Sequence, residues 1–129
     1  MEPFPEDLAR FLDSHVESID QLEILRVLAE DQSREWTAVA LATEIQAQPH
    51  GVTAHLNTLH ARGLLSTETR GPDFVCRYHP ATPELDALLS RLLQLYRERP
   101  VSMIKLVYAR ADGPVRALAD AFRLRKEGG

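Results

Sequence analysis

The sequence predicts a mainly α (α+β) fold in which three helices precede a β-hairpin and a helical C-terminal extension follows it. Two observations predict this order: apolar residues recur at helical spacing up to residue 62, and two short strand-like runs then flank a Gly-Pro-Asp turn. A chain of 129 residues with 44% apolar content is also large enough for one core. We therefore expect an acidic N-terminal segment or short helix over 1–17, a central domain over 18–81 and the extension over 82–129.

The first helices are predicted from their apolar faces and from one cap. Residues 5–14 are expected to form a short helix with an apolar side made by Leu8, Phe11 and Leu12. Ser18 begins a capping-box pattern with Gln21, which predicts that a helix starts there and ends near Asp31. The apolar face of that helix consists of Ile19, Leu22, Leu25, Val27 and Leu28.

Two further helices follow, separated by a short turn. Thr37 is suited to cap the first of them, which has apolar residues at helical spacing. Gln46 to Gln48 form the predicted turn, and Pro49 suits the first position of the next helix. That helix should run to about Arg62, just before Gly63. Its inward face is predicted to consist of Val52, Leu56 and Leu59.

After these helices the apolar pattern changes from helical to alternating. The runs 64–70 and 74–79 are predicted to be the two strands of a hairpin. The turn sequence Gly71-Pro72-Asp73 joins them.

The extension is predicted to be helical and to form an interface. A helix over 82–97 carries a broad apolar stripe, Pro100 interrupts the chain, 101–109 is another apolar segment, and Gly113-Pro114 starts a last amphipathic helix. A domain of about 65 residues covers little apolar surface alone. We therefore expect residues 82–125 to hold a homodimer together or, alternatively, to dock a different protein.

Three helices followed by a β-hairpin describe a winged helix-turn-helix, and here the sequence resembles the bacterial MarR-like and ArsR-like regulators. The resemblance covers about half of the chain and lies in Leu41-Ala42, Ile45, Gln48, Val52, His55-Leu56, Leu59 and Gly63-Leu64-Leu65. It implies a positioning helix, a recognition helix and a wing that bind DNA, with helices outside the module that form a homodimer.

The face of the third helix opposite Val52 is the candidate surface for base contacts, because each helical residue turns the chain by about 100°. The predicted groove residues are His50, Thr53, Asn57 and Thr58. Asn57 is the best base reader, since an Asn side chain can pair bidentately with adenine. In the hairpin, the resemblance implies that Arg70 and Arg77 grip phosphate or enter the minor groove, and the alternative is that both are merely solvated.

The charge distribution argues against strong nonspecific DNA binding. Residues 1–49 hold eleven acidic residues and three arginines, a balance of −8, whereas residues 50–80 hold three arginines and two acidic residues, a balance of +1. Phosphate contacts dominate the affinity of most DNA-binding proteins. The sequence therefore predicts weak, salt-sensitive DNA binding, and it leaves open an interaction module that has lost base readout.

No other chemistry is indicated. The spacing of His50, His55 and His60 distributes them around the helix axis, so a shared metal is not expected. Cys76 and His79 should point to opposite faces of a strand, and Cys76 is interpreted as a small buried hydrophobe. No pattern typical of catalysis or of a cofactor site is present. The acidic N-terminus and the lack of a long apolar run predict a soluble cytoplasmic protein without membrane contact.

Overall fold

In the computed structural model of the protein, residues 4–109 are described. This part of the chain contains six helices and three strands. In chain order they are α1 (Glu6–His15), α2 (Ile19–Glu30), β1 (Trp36–Thr37), α3 (Ala38–Ile45), α4 (Pro49–Ala61), β2 (Leu65–Arg70), β3 (Asp73–Tyr78), α5 (Pro83–Glu98) and α6 (residues 100–109).

Local capping interactions start three of the helices. The Ser18 side chain accepts a hydrogen bond from the Gln21 amide at 3.2 Å, and Thr37 accepts one from the Ala40 amide at 3.1 Å. Thr82 caps α5 in the same way through the Leu85 amide. Each bond satisfies one of the backbone N–H groups that a helix start leaves unpaired. The helix starts predicted at Ser18 and Thr37 are therefore confirmed.

The three strands form one antiparallel sheet in the order β1-β3-β2. The hairpin of β2 and β3 is confirmed, but its turn is one residue shorter than predicted, because Asp73 pairs with Arg70 inside the ladder. Gly71, with a φ of +59°, supplies the left-handed conformation that the tight turn requires. Strand β1 was not predicted; it is only two residues long and pairs Trp36 with Cys76. We call β2, β3 and their turn the wing.

The core joins the central helices to α1 and α5. The inward residues of α4 are fully buried, as predicted, at 0% exposure for Val52, Leu56 and Leu59. The apolar stripe of α5 buries Leu89, Leu92 and Leu93, and α5 contacts both α1 and α2. Much of the stripe is thus covered within the chain. Helix α1 packs against α5, a contact that was not predicted from the sequence.

Helix α6 corresponds to the predicted apolar segment 101–109. Met103 and Val107 are buried, whereas Val101 and Tyr108 are exposed to 63% and 57%. No helix between residues 4 and 109 is both long enough and apolar enough to cross a membrane. The last helix predicted from Gly113-Pro114 lies outside the described residues.

Candidate nucleic-acid interface

The turn between α3 and α4 has the geometry of a helix-turn-helix. Gln46 adopts a left-handed conformation with a φ of 58°, and the following Ala47 amide donates to the Ala42 carbonyl at 2.9 Å. This bond gives a partner to one of the carbonyl groups that the end of α3 would otherwise leave unpaired. Pro49 then starts α4 at its first turn. Helix α4 packs against α2 and α3 on its inner side and leaves its other side at the surface.

The outward face of α4 combines polar side chains with two exposed alanines, Ala54 and Ala61, and carries no Asp, Glu, Lys or Arg. His50 and Asn57 are exposed, and the Asn57 side chain makes no hydrogen bond within residues 4–109. Thr53 and Thr58 are half-buried, and their hydroxyl groups donate to the carbonyls of Pro49 and Ala54, both at 3.1 Å. The threonine hydroxyl protons are therefore used inside the helix, while Asn57 keeps its full hydrogen-bonding capacity for a ligand.

The three histidines of α4 lie in different surroundings. His55 Nδ1 lies 3.1 Å from Nε2 of Gln21, a fully buried side chain on α2. His60 Nδ1 lies 3.0 Å from the carbonyl oxygen of Leu65, and His50 is at the surface. Within residues 4–109 no three His, Cys, Asp or Glu side chains are grouped as they would be around a metal ion. His55 and His60 instead join α4 to its neighbours in the fold.

The wing places its two arginines on the same outer face, but their surroundings differ. Arg70 donates to both carboxylate oxygens of Glu35, at 3.1 and 3.0 Å, and also pairs with Glu68. Arg77 is exposed, opposite Ser66 in the sheet, and its side chain forms no hydrogen bond or ion pair with residues 4–109. Glu68, two residues before Arg70 on the same strand face, was a signal available in the sequence. Glu35 was not, because it lies 35 residues away.

The third arginine near the helix-turn-helix is also engaged. Arg62 donates to the His15 carbonyl at 3.1 Å and to the Glu17 carboxylate at 3.3 Å. It therefore joins the end of α4 to the link between α1 and α2. Of the three arginines between residues 50 and 80, Arg77 is the one without an ion pair in the described part of the chain.

The carboxylates on this side of the molecule reduce its positive potential further. Hydrogen bonds from Arg70 hold the pKa of Glu35 below its ordinary value, so Glu35 stays ionised at neutral pH. Glu44 on α3 is exposed as well. The surface formed by α4 and the wing is therefore polar, with little net positive charge to attract phosphate.

Cys76 lies on the opposite, inner face of the sheet. It is 1% exposed, and burial raises the pKa of its thiol to about 12, which keeps the thiol protonated and unreactive. Its interpretation as a small buried hydrophobe is confirmed. His79 is exposed and lies just after the end of β3, so the predicted placement of Cys76 and His79 on opposite faces of one strand does not apply.

Comparison with known proteins supports the fold. No protein-family model matches the chain, and no curated protein matches it. Among solved structures, the chain is similar to HlyU from Vibrio cholerae, with a TM-score of 0.55 and 21% identity over 70% of this chain and 94% of that one. It is also similar to the homodimeric winged helix-turn-helix DNA-binding domain of Mb0332 from Mycobacterium bovis, a possible ArsR-family transcriptional regulator. That match has a TM-score of 0.53 and 19% identity and covers 77% of this chain and 93% of the domain.

A third similar structure is the transcriptional regulator BldR from Sulfolobus solfataricus, with a TM-score of 0.52 and 16% identity. That match covers 95% of this chain and 84% of BldR, so it includes the helices on both sides of the central module. The predicted resemblance is confirmed at the level of architecture: the chain has the winged-helix fold found in these regulators.

Proposed function

We propose that this protein is a small DNA-binding transcriptional regulator that acts in the cytoplasm of a bacterium. The observation that carries the proposal is the outer face of α4, where the exposed Asn57 side chain has no intramolecular partner in the described residues. In a winged helix this is the surface that can enter a major groove. The winged-helix fold that the chain shares with DNA-binding regulators also supports the proposal.

Within this proposal, His50, Thr53, Asn57 and Thr58 contact base edges, and Arg70 and Arg77 contact the backbone. The contacts differ in kind. Asn57 reads adenine through its amide, the threonine methyl groups touch thymine, and the wing arginines hold phosphate without reading sequence. A preference for A/T-rich sites follows, because this face offers no arginine or lysine for guanine.

The test is a titration of the intact protein against random and A/T-rich duplexes at two salt concentrations. We expect weak binding at low salt that falls steeply as salt rises, since few phosphate contacts are available. Tight binding that does not change with salt would contradict the charge argument. No binding to any duplex at low salt would contradict the proposed function and leave the winged-helix interaction module as the explanation.

We also propose that the protein acts as a homodimer held by residues 82–125. Val101 and Tyr108, two of the three large hydrophobic side chains most exposed within residues 4–109, both lie on α6 in this extension. A dimer presents two recognition helices to two half-sites, which compensates for weak contacts at each one.

Sedimentation of the intact chain and of a Val101→Lys/Tyr108→Lys variant tests this interface. We expect a dimer for the parent and a shift toward monomer for the variant. Val39→Lys is the matched control, because Val39 is exposed to the same 63% as Val101 but lies on α3. A parent that stays monomeric at high micromolar concentration would contradict the dimer.

A further inference from the structure

The wing contains a small ionic cluster formed by Glu35, Glu68 and Arg70. Glu35 comes from the loop before β1, and Glu68 and Arg70 lie on the same face of β2. The Glu35 carboxylate binds the two terminal nitrogens of Arg70 in a parallel, bidentate arrangement, at 3.1 and 3.0 Å. Glu68 pairs with Nη2 from the other side. We call these three residues the wing cluster.

The cluster uses the same donors of Arg70 that a phosphate would use. Arginine binds carboxylates and phosphates through the same planar fork of N–H groups. With both terminal nitrogens bound to carboxylates, the fork cannot also hold a phosphate bidentately. The wing cluster carries two negative charges and one positive charge, so an approaching phosphate meets net repulsion.

The cluster is also exposed enough to exchange partners. The side chains of Arg70, Glu35 and Glu68 are 54%, 47% and 60% exposed. Ion pairs at such exposure are weak, because solvent screens the charges and the long side chains lose freedom when they pair. The cluster therefore makes phosphate contact less favourable without preventing it.

We propose that Glu35 and Glu68 are autoinhibitory residues that compete with DNA phosphate for Arg70 and thereby weaken DNA binding by the wing. This inference rests on the proposed DNA-binding function. Arg77 is the counterpart within the wing, because its side chain shares the outer face but has no carboxylate within ion-pair distance in the described residues; the charge of Glu35 acts on it only at longer range. In the wing, Arg77 can therefore bind phosphate directly, whereas Arg70 must first give up its carboxylate partners.

The experiment compares DNA binding by Glu35→Gln, Glu68→Gln and the double variant with binding by the parent, at low salt and with the intact protein. Gln keeps the size of the side chain and removes the charge. We expect a gain of about two- to fivefold in affinity for each substitution, which corresponds to the strength of an exposed ion pair. Asp73→Asn is the matched control, since Asp73 lies beside Arg70 in the ladder but forms no ion pair with it.

The same substitutions are then made in an Arg70→Ala background. If the carboxylates act through Arg70, most of the gain from Glu35→Gln and Glu68→Gln is lost there, and what remains through the longer-range effect of Glu35 on Arg77 is smaller. An equal gain with and without Arg70, or an equal gain from Asp73→Asn, would mean that any negative charge near the wing repels DNA, and this would overturn the proposal.

A measurement without DNA checks the cluster itself. The side-chain Nε–H signal of Arg70 in nitrogen-15 NMR spectra should report a more rigid group in the parent than in the double variant. Equal rigidity in the two proteins would overturn the inference. If the parent binds DNA and the double variant binds no better, the inference fails and the proposed function stands. If none of the proteins binds DNA, the proposed function fails and the inference fails with it.

Discussion

Two arginine–carboxylate clusters in this protein have similar chemistry but different surroundings. In the first, which we call the α2–α5 cluster, Arg26 donates to Glu23 at 2.9 and 3.2 Å and to Glu30 at 2.9 Å, and the Tyr96 hydroxyl on α5 donates to Glu23 at 2.7 Å. In the wing cluster, Arg70 is also held by two carboxylates. The side chains of Arg26 and Glu23 are 29% and 27% exposed, whereas that of Arg70 is 54% exposed.

The difference shows how burial decides what an ion pair does. The α2–α5 cluster joins two helices, and a tyrosine from the second helix completes it. Burial acts to raise the pKa of Glu23, but the hydrogen bonds from Arg26 and Tyr96 outweigh it, so the pKa is lowered overall and the carboxylate stays ionised. The side chains of the wing cluster are about half exposed to solvent. The first arrangement supports the fold, and the second leaves an arginine able to change partner.

The largest expected change in stability comes from removing apolar contacts around the α2–α5 cluster. Leu92 on α5 is fully buried, so Leu92→Ala should lower the free energy of unfolding by about 2 to 5 kcal/mol. Denaturant unfolding followed by circular dichroism measures this loss. A loss below about 1 kcal/mol would mean that α5 is an appendage and not part of the core. A chain that ends near residue 81 lacks this leucine, and we expect it not to fold as a stable module.

A substitution on the outer face of α4 should have the opposite result: it should change DNA recognition and leave the stability of the fold unchanged. Asn57→Ala removes the one bidentate reader among the predicted groove residues, so discrimination at one base pair should fall by about 1 to 3 kcal/mol while nonspecific affinity barely changes. Competition binding with single-base variants of a selected site measures this. Unchanged discrimination would exclude Asn57 as a reader.

A smaller effect on stability is expected from the tyrosine of the α2–α5 cluster. Tyr96→Phe removes the hydrogen bond to Glu23 and should lower the free energy of unfolding by about 1 kcal/mol at neutral pH. Burial, with Glu23 nearby, raises the pKa of Tyr96 to about 12 from its ordinary value of 10. Because the folded-state pKa is the higher one, this stabilisation is complete below pH 10 and is lost as the pH rises toward 12.

The variant should therefore lose less stability than the parent between these pH values. Unfolding midpoints measured across this range in both proteins test the point. Parallel curves would show that the Tyr96 hydroxyl is not coupled to folding.

The smallest effects on stability are expected in the wing. Arg70→Ala and Arg77→Ala should each leave the free energy of unfolding nearly unchanged, because exposed ion pairs and solvated side chains contribute little. Each should weaken binding to all duplexes alike and reduce the salt slope by about one unit, since one phosphate contact is removed. If the wing cluster holds Arg70 back, Arg77→Ala has the larger effect on affinity. A larger effect of Arg70→Ala would reverse this order.

The features predicted correctly from the sequence are those that depend on neighbouring residues. The caps at Ser18 and Thr37, the hairpin and the inward face of α4 follow from local hydrogen bonding and from helical periodicity. Strand β1 escaped prediction because two residues carry no alternating pattern, and its partner strand lies far along the chain.

The partners of charged side chains were less predictable. The exposure of Asn57 follows from helix rotation alone. The pairing of Arg70 with Glu35, and of Arg91 with Asp7 across 84 residues, depends on how distant segments pack. The same packing places α1 against α5 and covers a stripe that, in the sequence, had no identified partner.

Thr37 has two roles, since it is the last residue of β1 and also the cap of α3. Strand β1 is hydrogen-bonded to β3, the middle strand of the sheet, so α3 follows the sheet with no loop between them, while a short link from α4 leads directly into β2. The spacing between α4 and the tip of the wing is therefore set by the protein. A duplex bound by both must adjust its groove width to that spacing, and sequences that deform at low energetic cost would be selected at positions that no side chain touches.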